Sequence, residues 1–481
     1  MDGHPAQLPP QEDLPFFLSR IIFTITIPTI AASTIPIIIV EIFEYIKFII
    51  LSVIGAIVLF GCTGKTEQAK AKYVFYFIGD GMGVNQVIGT EMYLAELEGR
   101  IGTKSLSFTS FPVRNYLTTY SATNAVTCSA AAGTALAAGT KTQNGRIGMK
   151  QDSSVLYSIA CKAKQAGKAV GVTTSVAINH ATPAVFYAHQ PDRQMYYEIG
   201  TDAVKAEFDF YGGAGWKQVI SPHDSSAIDL YSLLRDSGYM IIDHQQDFQA
   251  LSAGAEKVVY VQPQDCVNPS SLPAAIDRKE GDLTLANITE KAIQFLSTRN
   301  EAGFFLMVEG GVVDWLCHAN DGAAAFREVV DFSETIQVAL DFYKAHPDET
   351  LIIVTADHET GGLSLGNGPY ELNLKLLANQ KSSIIGLTQK LKQLKKRKGK
   401  NLTYPDLLEL FKQECGFGAT VMLSPAEEQL LESECMKIIR SDRNQLVRNE
   451  HALVDPLAVL AVEILNRRAM IQWASGGHSA G

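Results

Sequence analysis

The fold is decided by the stretch Tyr73–Gly83, which reads YVFYFIGDGMG. It opens with a continuous apolar and aromatic run of strand length, which is typical of a parallel strand buried on both faces. The glycines that follow allow the chain to turn sharply where the strand ends. The stretch therefore predicts a buried strand whose carboxyl end leads directly into a tight loop carrying Asp80.

Three later segments repeat this pattern of an apolar run followed by polar or glycine residues. They are Ala169–Thr174, Gly303–Val308 and Leu351–Thr355, with helix-like segments between them. Strands that alternate with helices predict an α/β fold with a mostly parallel central sheet flanked by helices. In such folds ligands bind beyond the carboxyl ends of the strands, so we expect the functional site there.

The composition is that of a globular protein with a large core. Of 481 residues, 46% are hydrophobic and 19% are charged, which excludes a largely disordered chain. The net charge of −10 and the lack of a basic stripe with interleaved aromatic residues argue against nucleic acid as a partner. The seven cysteines form no CxxC pair and show no disulfide-framework spacing.

The stretch Thr127–Gly139 consists mostly of very small residues and carries Ser129 near its start. Its alanines favour a helix that ends at Gly139, with Ser129 in the first turn. A serine there lies beside unpaired backbone N–H groups and the positive end of the helix dipole, which is a ready site for a phosphate or another oxyanion. Taken alone, the stretch also fits a helix packed in the core, with Ser129 as its N-cap.

Carboxylate and imidazole side chains follow the predicted strands or lie close behind them. Histidines combined with carboxylates suit zinc, and a nearby site made only of oxygen ligands suits Mg²⁺. Several such groups near strand ends predict a metal centre, although each alone is a weak signal. The candidate residues are Asp80, Glu309, Asp314, His318, Asp357, His358 and His478.

Together these motifs resemble the alkaline phosphatases. They occur in family order and with family-like spacing between Tyr73 and Gly481. The matching segments are GDGMG at 79–83, TCSAA at 127–131, HATP at 180–183, His189 with Arg193, Glu309 with Asp314 and His318, DHE at 357–359, and GH at 477–478.

The resemblance implies a phosphate-monoester hydrolase with two Zn²⁺ and one Mg²⁺. One zinc would be held by Asp314, His318 and His478. The second would be held by Asp80, Asp357 and His358. The Mg²⁺ would be held by Asp80, Thr182 and Glu309, with Asp80 shared between two ions.

The resemblance also assigns roles to residues that touch the substrate. Ser129 would be the nucleophile and form a phosphoserine intermediate, and Arg193 would bind the phosphate. His180 stands where other family members carry different residues, so it either contacts the phosphate or metal-bound water, or supports the ligands. Small-molecule phosphate monoesters are the expected substrates, and a homodimer is possible because dimers are common in the family.

The family resemblance divides the chain into four parts. Residues 73–371 would form the alkaline phosphatase-like catalytic domain, and residues 476–481 would return to it. Residues 372–475 are helix-like and include the basic run Lys390–Lys400, so we expect an inserted helical subdomain or lid. The basic run is more typical of a solvated helix face than of a binding patch.

Residues 1–72 read as an export segment and a tether. The apolar segment Phe48–Gly61 has the length of a signal-peptide core and ends at Cys62, which resembles a bacterial lipoprotein signal; a plain transmembrane anchor is the alternative. The apolar segment Phe16–Val40 is either a further span or lies upstream of the natural start. We therefore expect export to the periplasm or cell surface, with membrane attachment through lipidated Cys62.

Three other functions are alternatives to phosphate-monoester hydrolysis. A sulfatase is disfavoured because the residues after Cys128 lack the proline and arginine of the sulfatase motif. A phosphodiesterase of the same superfamily is a less favoured alternative. The alkaline phosphatases that this chain resembles continue well past the motif of His478, whereas His478 lies three residues before Gly481, so the resemblance also implies a C-terminal truncation. A membrane-tethered protein that binds metal or phosphate with little turnover is therefore another alternative.

Overall fold

The computed structural model describes residues 71–263, 270–368, 370–440, 446–448 and 450–480. The chain divides between Ala69 and Lys70 into two units, and all the described residues belong to the second. The expectations for the apolar segments and for Cys62 lie outside the described residues. Within the described ranges, no helix has the length and apolar character needed to cross a membrane.

A parallel sheet with the strand order β4-β5-β3-β2-β6-β1-β7 forms the centre of the described fold. The four strands expected from the sequence all belong to it, and the predicted mostly parallel α/β fold is confirmed. Its seven strands are β1 (Tyr73–Gly79), β2 (Ala169–Thr174), β3 (Phe210–Gly213), β4 (Tyr239–Ile242), β5 (Lys257–Val261), β6 (Phe304–Gly310) and β7 (Thr350–Ala356).

Strand β1 lies between β6 and β7, and its side chains alternate between two core layers. Phe75 and Phe77 pack in one layer, and Ile78 packs in the other. Burial on both faces explains why this strand reads as a continuous apolar run. The parallel register aligns Gly79 with Gly310 of β6 and with Ala356 of β7, so three strands end at the same level.

Helices cover both faces of the sheet. They are α1 (Val84–Leu97), α2 (Ser129–Ala138), α3 (Ile159–Gln165), α4 (Ala181–Ala184), α5 (Tyr196–Ala206), α6 (Leu230–Asp236), α7 (Phe248–Ser252), α8 (Leu285–Leu296), α9 (Val312–His318), α10 (Gly322–Ala345), α11 (Ile384–Lys398), α12 (Tyr404–Cys415), α13 (Pro425–Arg440) and α14 (Pro456–Arg468). Short strands add β8 (Glu359–Thr360), β9 (Leu363–Leu365), β10 (Val447–Arg448), β11 (Leu453–Val454), β12 (Ile471–Trp473) and β13 (His478–Ser479).

Helices α11 to α14 pack around a third hydrophobic core, which also takes in Tyr93 of α1 and Phe326 of α10. The basic run on α11 is partly neutralised by acidic partners: Lys390 Nζ lies 2.7 Å from Glu414, and Lys398 Nζ lies 2.8 Å from Asp406. These contacts fit a structural helix face. The assignment of residues 372–475 as an inserted subdomain or lid stays a prediction.

The chain returns from these helices to the segment that follows β7 through two short strand pairs. Strand β12 pairs with β9, and β13 pairs with β8, both antiparallel. The second pairing sets His478 opposite Thr360. A residue more than a hundred positions further along the chain is thereby held beside the loop that follows β7.

Candidate active site

Helix α2 begins at Ser129 and ends before Gly139, as its small residues predict. Cys128 is the N-cap, with extended backbone angles, so the alternative that Ser129 serves as the N-cap is wrong. Gly139 adopts the left-handed conformation with φ of 70°, which explains why a glycine ends the helix. Ser129 is buried, and its Oγ lies 3.2 Å from Nε2 of His358.

The aligned ends of β1, β6 and β7 bring carboxylates together. Asp80 follows β1, Glu309 lies near the end of β6, and Asp357 follows β7, and all three are at most 1% exposed. Nε2 of His358 lies 3.3 Å from Oδ1 of Asp80 and 3.2 Å from Oδ2 of Asp357. The backbone N–H of Gly81 donates to the other oxygen of Asp357 at 3.1 Å. Asp80, Asp357 and His358 therefore form a group that can hold a metal ion.

A second group shares Asp80. Thr182, at the start of the short helix α4, donates from Oγ1 to Oδ2 of Asp80 at 3.2 Å. Asp80, His180 and Glu309 each offer a ligand atom, and these atoms lie within 4.8 Å of one another. His180 thus lies beside the carboxylates of this group, in addition to the Thr182 hydroxyl.

A third group is built on α9, where Asp314 and His318 lie one turn apart. Nε2 of His318 lies 3.3 Å from Oδ2 of Asp314, and Nε2 of His478 lies 3.8 Å from Oδ1 of Asp314. The other ring nitrogens are within hydrogen-bonding distance of backbone oxygens: Nδ1 of His318 at 2.6 Å from Gly476 O and Nδ1 of His478 at 2.9 Å from Thr127 O. Such contacts orient a histidine so that Nε2 is free to bind a metal.

Unpaired buried atoms give a second indication, independent of any motif, that the three groups can hold divalent cations. Buried polar atoms almost always have hydrogen-bond partners. Among the described residues, however, several buried atoms in these groups have none. They are Oδ1 of Asp80, Oε1 of Glu309, Oδ2 of Asp357 and Nε2 of His318. Cations between them would satisfy these atoms and neutralise the clustered carboxylates.

The electrostatics of the metal-free groups agree with this interpretation. Burial, followed by repulsion from Asp357, raises the pKa of Asp80 well above its usual range. Burial with neighbouring carboxylates raises the pKa of Asp357 to about 8, and burial raises that of Glu309 to about 7. Burial also lowers the pKa of His358, which keeps its imidazole neutral as metal ligation requires. Without cations, Asp80, Glu309 and Asp357 hold their protons to higher pH. Asp314 differs, because the neighbouring His318 outweighs burial and holds the pKa of Asp314 well below its usual range.

Arg193 and Cys128, the residue before Ser129, both form a hydrogen bond to the backbone of Gly145. The backbone N–H of Gly145 donates to Sγ of Cys128 at 3.1 Å, and the carbonyl of Gly145 accepts from the N–H of Arg193 at 2.8 Å. The half-buried Arg193 side chain acts on the site electrostatically: after burial, its charge contributes most to lowering the pKa of His180. The structure thus brings the predicted phosphate-binding arginine to the same end of the sheet as Ser129.

Sequence reasoning missed three residues of the site. Thr360 donates from Oγ1 to Asp314 at 2.6 Å and lies 3.2 Å from Nδ1 of His358. Thr174, at the end of β2, donates to Glu309. Thr174 is the last residue of a predicted strand, and Thr360 lies in the polar segment that follows another, which is the signal that could have found them. His451 lies beside Asp314, and its position between helix-like segments carried no such signal.

Comparisons with known proteins agree with the geometry of the site. The family model described as alkaline phosphatase matches residues 71–212 and 226–480. Alkaline phosphatase 3 of Bacillus subtilis is 30% identical over 424 residues, which cover 86% of this chain and 83% of that protein.

Solved structures give the same result. The cold-active alkaline phosphatase from a psychrophilic Shewanella superposes with a TM-score of 0.70 at 30% identity, covering 85% of this chain and 92% of that one. A variant of the alkaline phosphatase from the Antarctic bacterium TAB5, solved with Mg bound in its M3 site, superposes with a TM-score of 0.54 at 30% identity, covering 62% of this chain and 81% of that one. The motifs, the fold and these matches together show that this chain belongs to the alkaline phosphatase family, as an enzyme that hydrolyses phosphate monoesters.

Proposed function

We propose that this alkaline phosphatase acts through a phosphoserine intermediate on Ser129, with two Zn²⁺ and one Mg²⁺ beside it. Asp314, His318 and His478 would hold one zinc. Asp80, Asp357 and His358 would hold the other. Asp80, Thr182 and Glu309 would hold the Mg²⁺, and the position of His180 makes it a further candidate for that set.

The choice of metals follows from the donor atoms. The first two sets combine imidazole with carboxylate groups, which suits zinc. The third is richer in oxygen, which suits Mg²⁺, and the TAB5 variant described above holds Mg in its M3 site. When bound, such ions supply positive charge that favours the ionised form of a nearby hydroxyl and the charge of the reacting phosphate.

Ser129 would carry the covalent chemistry. Its Oγ attacks the phosphorus atom, the bond from phosphorus to the leaving oxygen breaks, and the departing alcohol takes up a proton. Water then attacks the phosphoserine, which releases inorganic phosphate and restores the serine hydroxyl. The position of Ser129 as the first residue of α2 supports this role, because the N–H groups in the first turn of a helix have no partner within the helix and favour an anion there.

Arg193 would hold the phosphate for both steps. A guanidinium can donate two parallel hydrogen bonds to non-bridging phosphate oxygens, and it stays charged at every pH of interest. The backbone hydrogen bond from Arg193 to Gly145 supports this role by fixing the start of its side chain. The N-terminal N–H groups of α2 favour the same anion from the other side.

The observation that carries the proposal is the convergence of unpaired buried ligand atoms around a buried serine. The nearest test is hydrolysis of p-nitrophenyl phosphate by the full chain, before and after removal of metal with a chelator. We expect chelation to abolish turnover and added Zn²⁺ with Mg²⁺ to restore it, and we expect Ser129→Ala to stay inactive under both conditions. Ser225→Ala, at an exposed serine, is the matched control and should behave like the wild type; undiminished turnover in Ser129→Ala would refute the role of Ser129.

Location and assembly are also proposals. Export to the periplasm or cell surface, with attachment through lipidated Cys62, is supported by the signal-like segment in the sequence; metabolic labelling with palmitate, absent in Cys62→Ala, would test it. A homodimer is supported by exposed apolar side chains in the stretch that precedes Ser129 in the sequence, where Val113 is 85% and Tyr116 is 88% exposed. Sedimentation analysis of the protein would show whether it is a dimer.

A further inference from the structure

Glu359 directly follows the candidate metal ligand His358, but its carboxylate takes no part in any of the three metal groups. Together with Thr360 it forms the short strand β8. The residue is only 5% exposed, so its carboxylate is buried. A buried carboxylate is costly unless hydrogen bonds compensate it. None of the roles described above uses this side chain.

Four hydrogen-bond donors converge on the carboxylate of Glu359. Oε1 accepts from Nε2 of Gln86 at 2.6 Å and from the backbone N–H of Leu363 at 3.2 Å. Oε2 accepts from the backbone N–H of Gly362 at 2.9 Å and from Oγ of Ser479 at 2.5 Å. Hydrogen bonds to an ionised acceptor are stronger than those between neutral groups. Glu359 therefore joins three parts of the chain, which are α1, the segment after β8, and β13.

The loop after β1 leaves room for β8 to pack this closely. A Cβ atom on Gly83 would lie only 2.4 Å from Cγ of Glu359. A Cβ atom on Gly81 would lie only 2.8 Å from Oγ1 of Thr360. Both distances are far shorter than van der Waals contact. Glycines at these two positions therefore allow β8 to contact the loop that carries Asp80.

The hydrogen bond from Ser479 restrains the strand that carries His478. In the antiparallel pairing of β13 with β8, Ser479 lies opposite Glu359, and His478 lies opposite Thr360. A pair of two-residue strands is marginal when only its backbone holds it together. The side-chain hydrogen bond between Ser479 and Glu359 adds a restraint at the residue next to His478.

The other residue of β8 connects the strand to Asp314. Thr360 donates from Oγ1 to Oδ1 of Asp314 at 2.6 Å. Nε2 of Gln86, which donates to Glu359, also donates to the backbone oxygen of Thr360 at 2.9 Å. Strand β8 is thus held against α1 and contacts two members of one metal group, Asp314 through a side chain and His478 through backbone pairing.

We propose that Glu359 is a positioning residue for His478: its carboxylate holds β13 against β8 and so sets where the imidazole of His478 lies in the group that it forms with Asp314. The inference rests on the proposed function, because it presupposes an ion at that group. Loss of a hydrogen bond that supports a metal ligand typically lowers metal affinity by about 10–100-fold. Removal of the bond between Glu359 and Ser479 should therefore weaken one metal site.

Titration of the metal-free full-length chain with Co²⁺, followed by visible absorption, tests the proposal without reference to activity. The informative variant is Ser479→Ala, because it removes the bond to β13 and leaves the other three bonds of Glu359 in place. We expect one Co²⁺ site to bind about tenfold more weakly in Ser479→Ala, and more weakly still in Glu359→Ala. Ser364→Ala, at an exposed serine of the neighbouring β9, is the matched control and should bind like the wild type.

A double-mutant cycle with His478→Ala shows whether the effect passes through His478. If the hydrogen bond acts by placing His478, Ser479→Ala should cause no further loss of Co²⁺ affinity once His478 has been replaced. An equal tenfold loss in both backgrounds would show a general structural effect and would overturn the proposal.

The remaining outcomes separate this inference from the proposed function. If Ser479→Ala and Glu359→Ala bind Co²⁺ with the affinity and absorption of the wild type, while His478→Ala loses a site, the metal group is present and Glu359 does not position it. If His478→Ala binds as many ions as the wild type, the proposed metal group itself fails, and the inference about Glu359 fails with it.

Discussion

Ser129 lies at the start of helix α2 and beside a group of residues that can hold a metal ion. Its hydroxyl contacts Nε2 of His358, an imidazole whose pKa is lowered by burial and then by His478. Because His358 itself belongs to a group that can hold an ion, it is poorly placed to act as a free base toward Ser129. We therefore propose that cationic charge activates the hydroxyl and that Arg193 binds the phosphate.

Arg193→Lys tests that division of roles. Lysine keeps the charge but loses the fork of parallel donors, so phosphate should bind more weakly. We expect the KM for p-nitrophenyl phosphate and the inhibition constant for inorganic phosphate to rise together by about tenfold or more, since a hydrogen bond to a charged group is worth about 1.5–3 kcal/mol. Metal content should not change. Arg235→Lys, outside the site, is the matched control, and equal phosphate inhibition in Arg193→Lys and the wild type would contradict the role.

The helices and strands that position these residues differ in how well the sequence predicts them. Strand β1 could be predicted because burial on both faces leaves a continuous apolar run, and its parallel register then aligns Asp80 with the ends of β6 and β7. Helix α2 could be predicted from its alanines and from Gly139. The two-residue strands β8 and β13 could not, because so short a segment has no periodicity.

The same limit applies to side chains that reach the site from distant elements. His478 was identified through the family resemblance, but its partner Thr360 follows from the pairing of β13 with β8. His451 depends on a two-residue strand pair and on stacking against Trp315. Contacts of that kind depend on tertiary packing, which leaves no local pattern in the sequence.

Gly139→Ala tests the end of α2. A methyl group at this position meets no atom within 4 Å, so the cost is confined to the left-handed backbone. We expect the free energy of unfolding to fall by about 1–2 kcal/mol, as measured by denaturant unfolding of the metal-loaded protein. Gly139→Asn should lose less, because asparagine tolerates this conformation. Equal stability of Gly139→Ala and the wild type would show that the helix end is not held as described.

At the scale of the whole molecule, the site is a cluster of buried carboxyl groups within the core. Asp80, Glu309, Asp314 and Asp357 are at most 2% exposed and lie at one end of the central sheet. Burial opposes the ionisation of Asp80, Glu309 and Asp357, and repulsion between carboxylates adds to the cost. For Asp314, burial is outweighed by the neighbouring His318, which holds the pKa of Asp314 well below its usual range. The stability of the protein should therefore depend on pH and on metal together.

The metal-free protein should lose stability as the pH rises from about 6.5 to 8. Glu309 and Asp357 have pKa values raised from 4.5 and 3.8 to about 7 and about 8. In that interval the folded state holds protons that the unfolded state has already released, so the free energy of unfolding falls with rising pH by about 1 kcal/mol per pH unit. Below about pH 6.5 the buried His180 and His358, whose pKa values are lowered, act in the opposite direction.

Denaturant unfolding of the chelated protein across this interval measures the effect. Glu309→Gln removes one of the two carboxyl groups and should give a shallower decline. Added Zn²⁺ and Mg²⁺ should reverse the decline, because the ions replace the lost protons. A metal-free protein whose stability is flat or rises over this interval would contradict the account.

The central claim is that phosphate passes through Ser129. It is tested most directly by quenching the metal-loaded enzyme in acid during hydrolysis of p-nitrophenyl phosphate and measuring the mass of the peptide that carries Ser129. We predict that this peptide gains the mass of one phosphoryl group in the wild type, and that Ser129→Ala shows neither a phosphorylated peptide nor turnover. Undiminished hydrolysis in Ser129→Ala, or a phosphoryl group found on a different residue, would contradict the account.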